Sequence, residues 1–190
     1  AEALPADTII CNGAGNFSGW WHRYWRYAGP GTQLAPTAGA MGYGLPAAIG
    51  AQLGNPNALV IDIAGEASIQ MNIQELATAS QYRLPVKVFI LNNEYMGMVR
   101  QWQELTYESR YAESYSDSLP DFVKLAEAYG HVGIRVERPE DVEGALRDAF
   151  GKYKDRTVFI DFLVDPTENV WPMVQGGKGL TEMLLGAEDL

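Results

Sequence analysis

Two apolar runs with a helical stretch between them constrain the fold most. The runs ALVIDI at 58–63 and VKVFIL at 86–91 read as strands buried on both faces. Each runs directly into polar residues: Gly65, Glu66, Ala67 and Ser68 after the first, Asn92 and Asn93 after the second. Between them, Ile73, Leu76, Ala77 and Ser80 share one face of a helix expected over 72–82. Strand, helix, strand in that order implies a parallel pair joined by a crossover. Both polar clusters then sit at the carboxyl ends of neighbouring strands, where an open α/β sheet places its ligand. A carboxylate and an amide oxygen at that edge can hold a Mg²⁺ that still needs phosphate oxygens to complete its shell.

The flanking segments extend the same alternation. A short buried strand at 8–11 ends in the turn Asn12, Gly13, Ala14, Gly15. A Gly-rich turn at 39–44 feeds a helix reaching Gln52. Helices are expected over 98–107, 120–129 (stopped by Gly130) and 141–150, where Val142, Ala145, Leu146, Ala149 and Phe150 recur at helical spacing. Strands are expected at 133–136 and 157–164. The fold class is therefore α/β, a doubly wound parallel sheet with helices on both faces. Residues 1–164 form one domain, and 165–190, irregular and rich in Pro and Gly, form its tail, placed to cover the site. The aromatic segment 17–27 (Phe17, Trp20, Trp21, Tyr24, Trp25, Tyr27) is either a surface buried against another domain or a stacking platform for substrate.

Composition excludes several functions. A net charge of −10 offers no basic footprint, so neither nucleic acid nor an anionic membrane is an expected partner. One cysteine, Cys11, rules out an intrachain disulfide and fits a reducing, cytoplasmic compartment. No apolar run is long enough to span a bilayer. Residues 1–7 lack the basic region of a signal peptide and an initiator Met, which suggests processing.

Three Gly-containing turns, 12–16, 39–44 and 65–68, converge on one sheet edge. Their backbone N–H groups can cradle a diphosphate, and Ser68 adds a hydroxyl. Glu66 and Asn93 are the candidate metal ligands, with the Tyr95 carbonyl as a third. The competing explanations are a helix N-terminal acid for Glu66 and plain turn chemistry for Asn92-Asn93. His22 and His131 lie outside any metal-ligand spacing, and Lys87 reads as a solvated charge at a strand end.

The chain resembles a known family through these residues. Gly65-Glu66-Ala67-Ser68 followed by Asn92-Asn93 resembles the thiamine diphosphate (ThDP) motif, with Glu66 where the family usually has Asp. The runs QMNIQELATA at 70–79, LPVK at 84–87 and LNNEYMGMVRQWQ at 91–103 resemble the catalytic large subunit of acetolactate synthase, as do DPTENVWPMV at 165–174 and MLL at 183–185. The likeness covers roughly residues 37–190 and corresponds to that enzyme's C-terminal ThDP-binding domain. The turn Gly13-Ala14-Gly15-Asn16-Phe17 departs from the family, which has a His where Phe17 stands, and one phosphate contact is missing with it.

The resemblance implies ThDP and Mg²⁺ as cofactors, with FAD not expected in this chain. It implies cofactor contacts from Gly15, Asn16, Gly39, Met41, Gly65, Ala67, Ser68, Met96, Gly97 and Met98. Met41 would prop the bent cofactor, and Glu66, Asn93 and the Tyr95 carbonyl would complete the metal shell. Val99 and Trp102 would face the substrate pocket, or Trp102 is simply a buried helix aromatic. The implied reaction condenses pyruvate with a second 2-oxo acid (pyruvate or 2-oxobutyrate) with loss of CO₂, in branched-chain amino acid biosynthesis. The family's catalytic Glu comes from a pyrimidine-binding domain, so no catalytic residue is assigned here and this chain alone is expected to be inactive. The expected partners are that pyrimidine-binding domain, further copies of the chain and 2-oxo acid substrates. Two other readings remain: another ThDP-dependent carboligase or decarboxylase, and a non-catalytic domain that no longer binds cofactor.

Overall fold

Apolar residues at successive positions build strands that are buried on both faces: β1 (Ile9–Asn12), β3 (Val60–Gly65), β4 (Lys87–Asn92) and β6 (Val158–Leu163). The short β2 (Gln33–Leu34) and β5 (Val132–Val136) complete one sheet. Its order is β2-β1-β3-β4-β6-β5, and every neighbouring pair is parallel. The computed structural model describes residues 4–189. The reading of the first seven residues falls partly outside that range.

Among the described residues, seven α-helices cover the sheet: α1 (Asn16–Tyr24), α2 (Gly44–Gly54), α3 (Glu66–Gln70), α4 (Leu76–Gln81), α5 (Gly97–Thr106), α6 (Phe122–Ala128) and α7 (Val142–Arg147). On one face, Leu45, Ala48 and Ile49 of α2 pack with Leu76, Phe122 and Ala126 against Cys11, Val60, Val88 and Phe159. On the other, Phe17, Trp21 and Trp25 pack with Ala145 and Leu146 against Ile61, Ile63, Phe89 and Ile160. The sheet is therefore doubly wound. Among the described residues, no helix is long and apolar enough to cross a membrane.

Three local outcomes differ from the expectations. The helix expected over 72–82 forms at 73–81, but its first turn, Ile73–Glu75, is 3₁₀ and only Leu76–Gln81 is α-helical. α3 starts directly at the end of β3, and the chain then turns through Asn72 and a 3₁₀ turn, Ile73–Glu75, before α4. Asn72 stands at the start of that helix, and its side chain donates to the Gly42 carbonyl at 2.8 Å, anchoring the Gly-rich turn. The aromatic segment is split rather than presented as one face. Phe17, Trp21, Trp25 and Tyr27 pack on this domain's own sheet, while Tyr24 remains 66% exposed.

Lys87 is the third difference: it is 1% exposed, not solvated. Its ammonium donates to the carbonyls of Tyr153, Lys154 and Arg156 at 3.0, 3.0 and 2.5 Å. It thereby caps carbonyls just past the π-helical turn Asp148–Lys152, of which Tyr153 also accepts from the Arg156 N–H. His131 is likewise structural, held by Ser80 and the Leu76 carbonyl, and burial lowers its pKa.

Candidate functional site

The chain leaves β1 outward to β2 but places β3 on the opposite side of β1. This reversal is the switch point at which open α/β sheets open a crevice. The turn after β1 and the start of α3 meet there. Gly13 approaches so closely that a Cβ on it would lie 2.6 Å from Ser68 Oγ. Gly42, at φ +78°, donates its N–H to Ser68 Oγ at 2.9 Å, a backbone conformation that suits glycine. Ser68 accepts from Gly42 and keeps its own proton to donate.

A cleft of about 300 Å³ opens at this edge. Of the sequence-predicted cofactor residues, it collects Gly15, Asn16, Met41, Gly65, Ala67, Ser68, Met96, Gly97 and Met98. It also takes in Glu66, Asn93 and Val99. The strand register explains part of this: Gly65 pairs with Leu91, so Glu66 and Asn93 leave adjacent strands at nearly the same level. Glu66 is 2% exposed, and its Oε1 has no hydrogen-bond partner. Burial pushes its carboxyl up to about 7, opposed by the backbone N–H groups of Glu66 and Asn93. Asn93 Oδ1 accepts only a long 3.4 Å hydrogen bond, from the Tyr95 N–H.

Three predicted residues lie elsewhere. Gly39 is exposed and is not among the residues lining the cleft. Tyr95 is not in the lining either; it bridges to Tyr115. Trp102 lines a second, shallower groove of about 450 Å³ with Val99, Gln103, Tyr107 and Arg110. Val99 borders both spaces, so the groove adjoins the cleft.

The cleft also contains residues outside the predicted cofactor set: Phe17 and Trp20 from the aromatic segment, Leu91, Val164, and Asp165 and Glu168 from the tail. Leu91 could have been read from its strand-end position. The tail was expected over the site, and of it Asp165 and Glu168 reach the lining. Phe17 occupies the space beside Gly65, where a Cβ would meet its ring at 2.7 Å. The ring makes that side of the cleft apolar.

The lining includes no Lys, Arg or His, but three carboxylates, Glu66, Asp165 and Glu168. An anionic ligand here would need backbone N–H groups and a cation to offset that charge. Among the described residues no cluster of three His, Cys, Asp or Glu is placed to hold a metal. Glu66 would therefore have to share a cation with amide oxygens and with the ligand itself.

The fold and cleft define a doubly wound α/β domain with its ligand site at the carboxyl ends of its strands. Residues 13–162 match the family model described as "Thiamine pyrophosphate enzyme, C-terminal TPP binding domain". The chain belongs to this family. It is 53% identical over 148 residues to the acetolactate synthase isozyme 3 large subunit of Escherichia coli, covering 77% of this chain and 26% of the relative. It is 46% identical over 185 residues to the mitochondrial acetolactate synthase catalytic subunit of Saccharomyces cerevisiae, covering 97% and 26% respectively. A thiamine diphosphate-dependent 4-hydroxybenzoylformate decarboxylase of Rhodococcus jostii superposes with a TM-score of 0.78 at 32% identity, over 86% of this chain and 31% of that one. The chain thus spans about a quarter of the length of its curated relatives.

Proposed function

We propose that this chain is the ThDP- and Mg²⁺-holding domain of an acetolactate synthase large subunit. That enzyme condenses pyruvate with pyruvate or 2-oxobutyrate and releases CO₂, in branched-chain amino acid biosynthesis. The observation that carries the reading is the orphaned Glu66 Oε1, buried at the cleft wall beside Asn93 and the Gly13, Gly42 and Ser68 turns. A buried carboxylate without a partner is costly unless a cation meets it. The residues fit the group: Glu66 and Asn93 would hold Mg²⁺, with the Tyr95 carbonyl as a third ligand. Ser68 and the N–H groups of the Gly-containing turns would hold the diphosphate. Met41, Met96, Gly97 and Met98 would wall the cofactor, and Gly39 would stand at its pyrimidine end.

Bound ThDP supplies the electron sink for loss of CO₂ from a 2-oxo acid. The chain's own residues fix and orient it and exclude water along an apolar wall that includes Val99 and Leu91. Trp102 and Val99 would size the acceptor acid in the adjoining groove. No catalytic residue is assigned within the chain. We place the proton acceptor for the cofactor on a partner pyrimidine-binding domain, over a rim that includes Met98 (49% exposed) and Val99 (44%). Self-association through the same exposed rim and a cytoplasmic location complete the reading. A second reading, a ThDP-dependent decarboxylase of aromatic 2-oxo acids, is favoured by Trp20 and Phe17 in the cleft.

Calorimetric titration of the chain with ThDP, with and without Mg²⁺, tests the cofactor. Mg²⁺-dependent binding is expected, and saturating ThDP without any heat or shift would refute the reading. Product analysis after adding a pyrimidine-binding domain then separates acetolactate from an aldehyde.

A further inference from the structure

Gln101 of α5 is 1% exposed, and its side-chain amide joins three segments. Its Oε1 accepts from the Val170 N–H at 3.1 Å and from Asn16 Nδ2 at 2.8 Å. Its Nε2 donates to the Val170 carbonyl at 3.0 Å and to Met173 Sδ at 3.1 Å. Pairing with both backbone groups of Val170 fixes which end of the amide is oxygen. Asn16 must therefore present its nitrogen to Gln101. That residue opens α1 and lines the cleft, while the segment carrying Val170 contributes Asp165 and Glu168 to the same cleft. Val170 also fits against α1 at Gly19, where a Cβ would come 2.8 Å from Val170 Cγ1. Arg100 to the Thr167 carbonyl (3.3 Å) and Asn169 to Glu104 (3.0 Å) tie the segment to α5 independently of Gln101.

We propose that Gln101 is a positioning residue that couples the diphosphate end of the cleft, through Asn16, to the seating of residues 165–173. The ligand in this coupling rests on the ThDP reading above; the contacts do not. One N–H of Asn16 is held by Gln101. A ligand that engages the rest of that amide steadies Gln101, and Gln101 in turn steadies Val170. By linkage, a seated segment tightens the ligand by the same factor. The remaining ties through Arg100 and Glu104 leave the segment attached when Gln101 is changed, so its variants are expected to fold.

The test combines amide hydrogen exchange at Val170 with calorimetric titration of ThDP in Mg²⁺, on the chain and on Asn16→Ala, Gln101→Met and the double variant. Without ligand, Asn16→Ala, which does not touch Val170, should speed Val170 exchange about fivefold, the equivalent of one lost hydrogen bond. ThDP with Mg²⁺ should slow Val170 exchange in the parent chain but not in Asn16→Ala. Gln101→Met should weaken ThDP about three- to tenfold, and the double variant should bind no more weakly than Asn16→Ala alone. Purely structural damage would instead give additive losses, and additivity overturns the coupling. So does unchanged Val170 exchange in Asn16→Ala, a readout that stands even if Gln101→Met fails to fold. A parent chain that binds no ThDP would refute the cofactor reading, yet the ligand-free exchange experiment would still decide the coupling.

Discussion

Asp62 and Glu66 stand four positions apart, one within β3 and one just past its end, and they make a natural pair. Both are buried, at 0% and 2% exposure, and both have carboxyl oxygens without partners. Their surroundings differ. Glu66 stands at the wall of the cleft, whereas Asp62 is sealed beneath Gly44, where a Cβ would collide with its carboxyl group. Burial alone pushes Asp62 up to about 8, and the same effect raises the thiol of Cys11, its neighbour in β1. An orphaned carboxylate that faces a cleft is explained by a ligand. One that faces only packed protein is explained by staying protonated.

The comparison breaks first at Glu66. Glu66→Gln keeps the shape but removes the charge and turns one acceptor oxygen into a donor NH₂. It should weaken Mg²⁺-dependent ThDP binding on the order of 100-fold, since a hard cation loses its anionic oxygen. Glu66→Asp should retain measurable binding, because the shorter side chain is the one usually found at this position of the motif. Equal affinity in the parent chain and Glu66→Gln, measured calorimetrically, would reduce Glu66 to the status of Asp62.

Lys87 sharpens the same contrast from the opposite sign. It is as buried as the two acids, and burial lowers its pKa to about 8 against the pull of Asp155. Unlike them, it is met by three carbonyls. Lys87→Met should cost about 2 kcal/mol, because carbonyls at the end of the π-helical turn lose their donor. Urea unfolding measures this directly, and a neutral result would mean that water replaces the ammonium at those carbonyls.

Much of the fold was legible because its signals are local. Apolar runs ending in polar clusters gave β3, β4 and their parallel pairing, and from them the sheet edge that carries Glu66 and Asn93. The same local reading failed where distant contacts decide. Asn72 does start the helix read there, but its bond to the Gly42 carbonyl, 30 residues back along the chain, left no trace in the sequence. Lys87 looked solvated because its partners lie more than sixty residues along the chain. The tail was expected over the site, but which of its residues reach the cleft (Asp165 and Glu168) and which residue of α5 supports them (Gln101) only the folded path of the C-terminal segment decides. Trp102 faces a groove beside the cleft because α5 turns it away from the side that bears Gln101.

Asp62 yields the clearest sign. In the unfolded chain an aspartate loses its proton near 3.8, but in the folded chain Asp62 keeps it to about 8. The folded state therefore binds more protons across that window, and stability must fall as pH rises through it. The slope from this one group is at most about 1.4 kcal/mol per pH unit. Asp62→Asn cannot ionise, so its unfolding free energy should be flatter between about pH 5 and about pH 8 and higher at the alkaline end. Glu66 titrates in the same range, so the pair of chains is best compared with Glu66→Gln in both. A slope unchanged by Asp62→Asn would mean that Asp62 is ionised in the fold. The seal under Gly44 would then have to admit water or a cation, and the distinction between the two carboxylates would disappear.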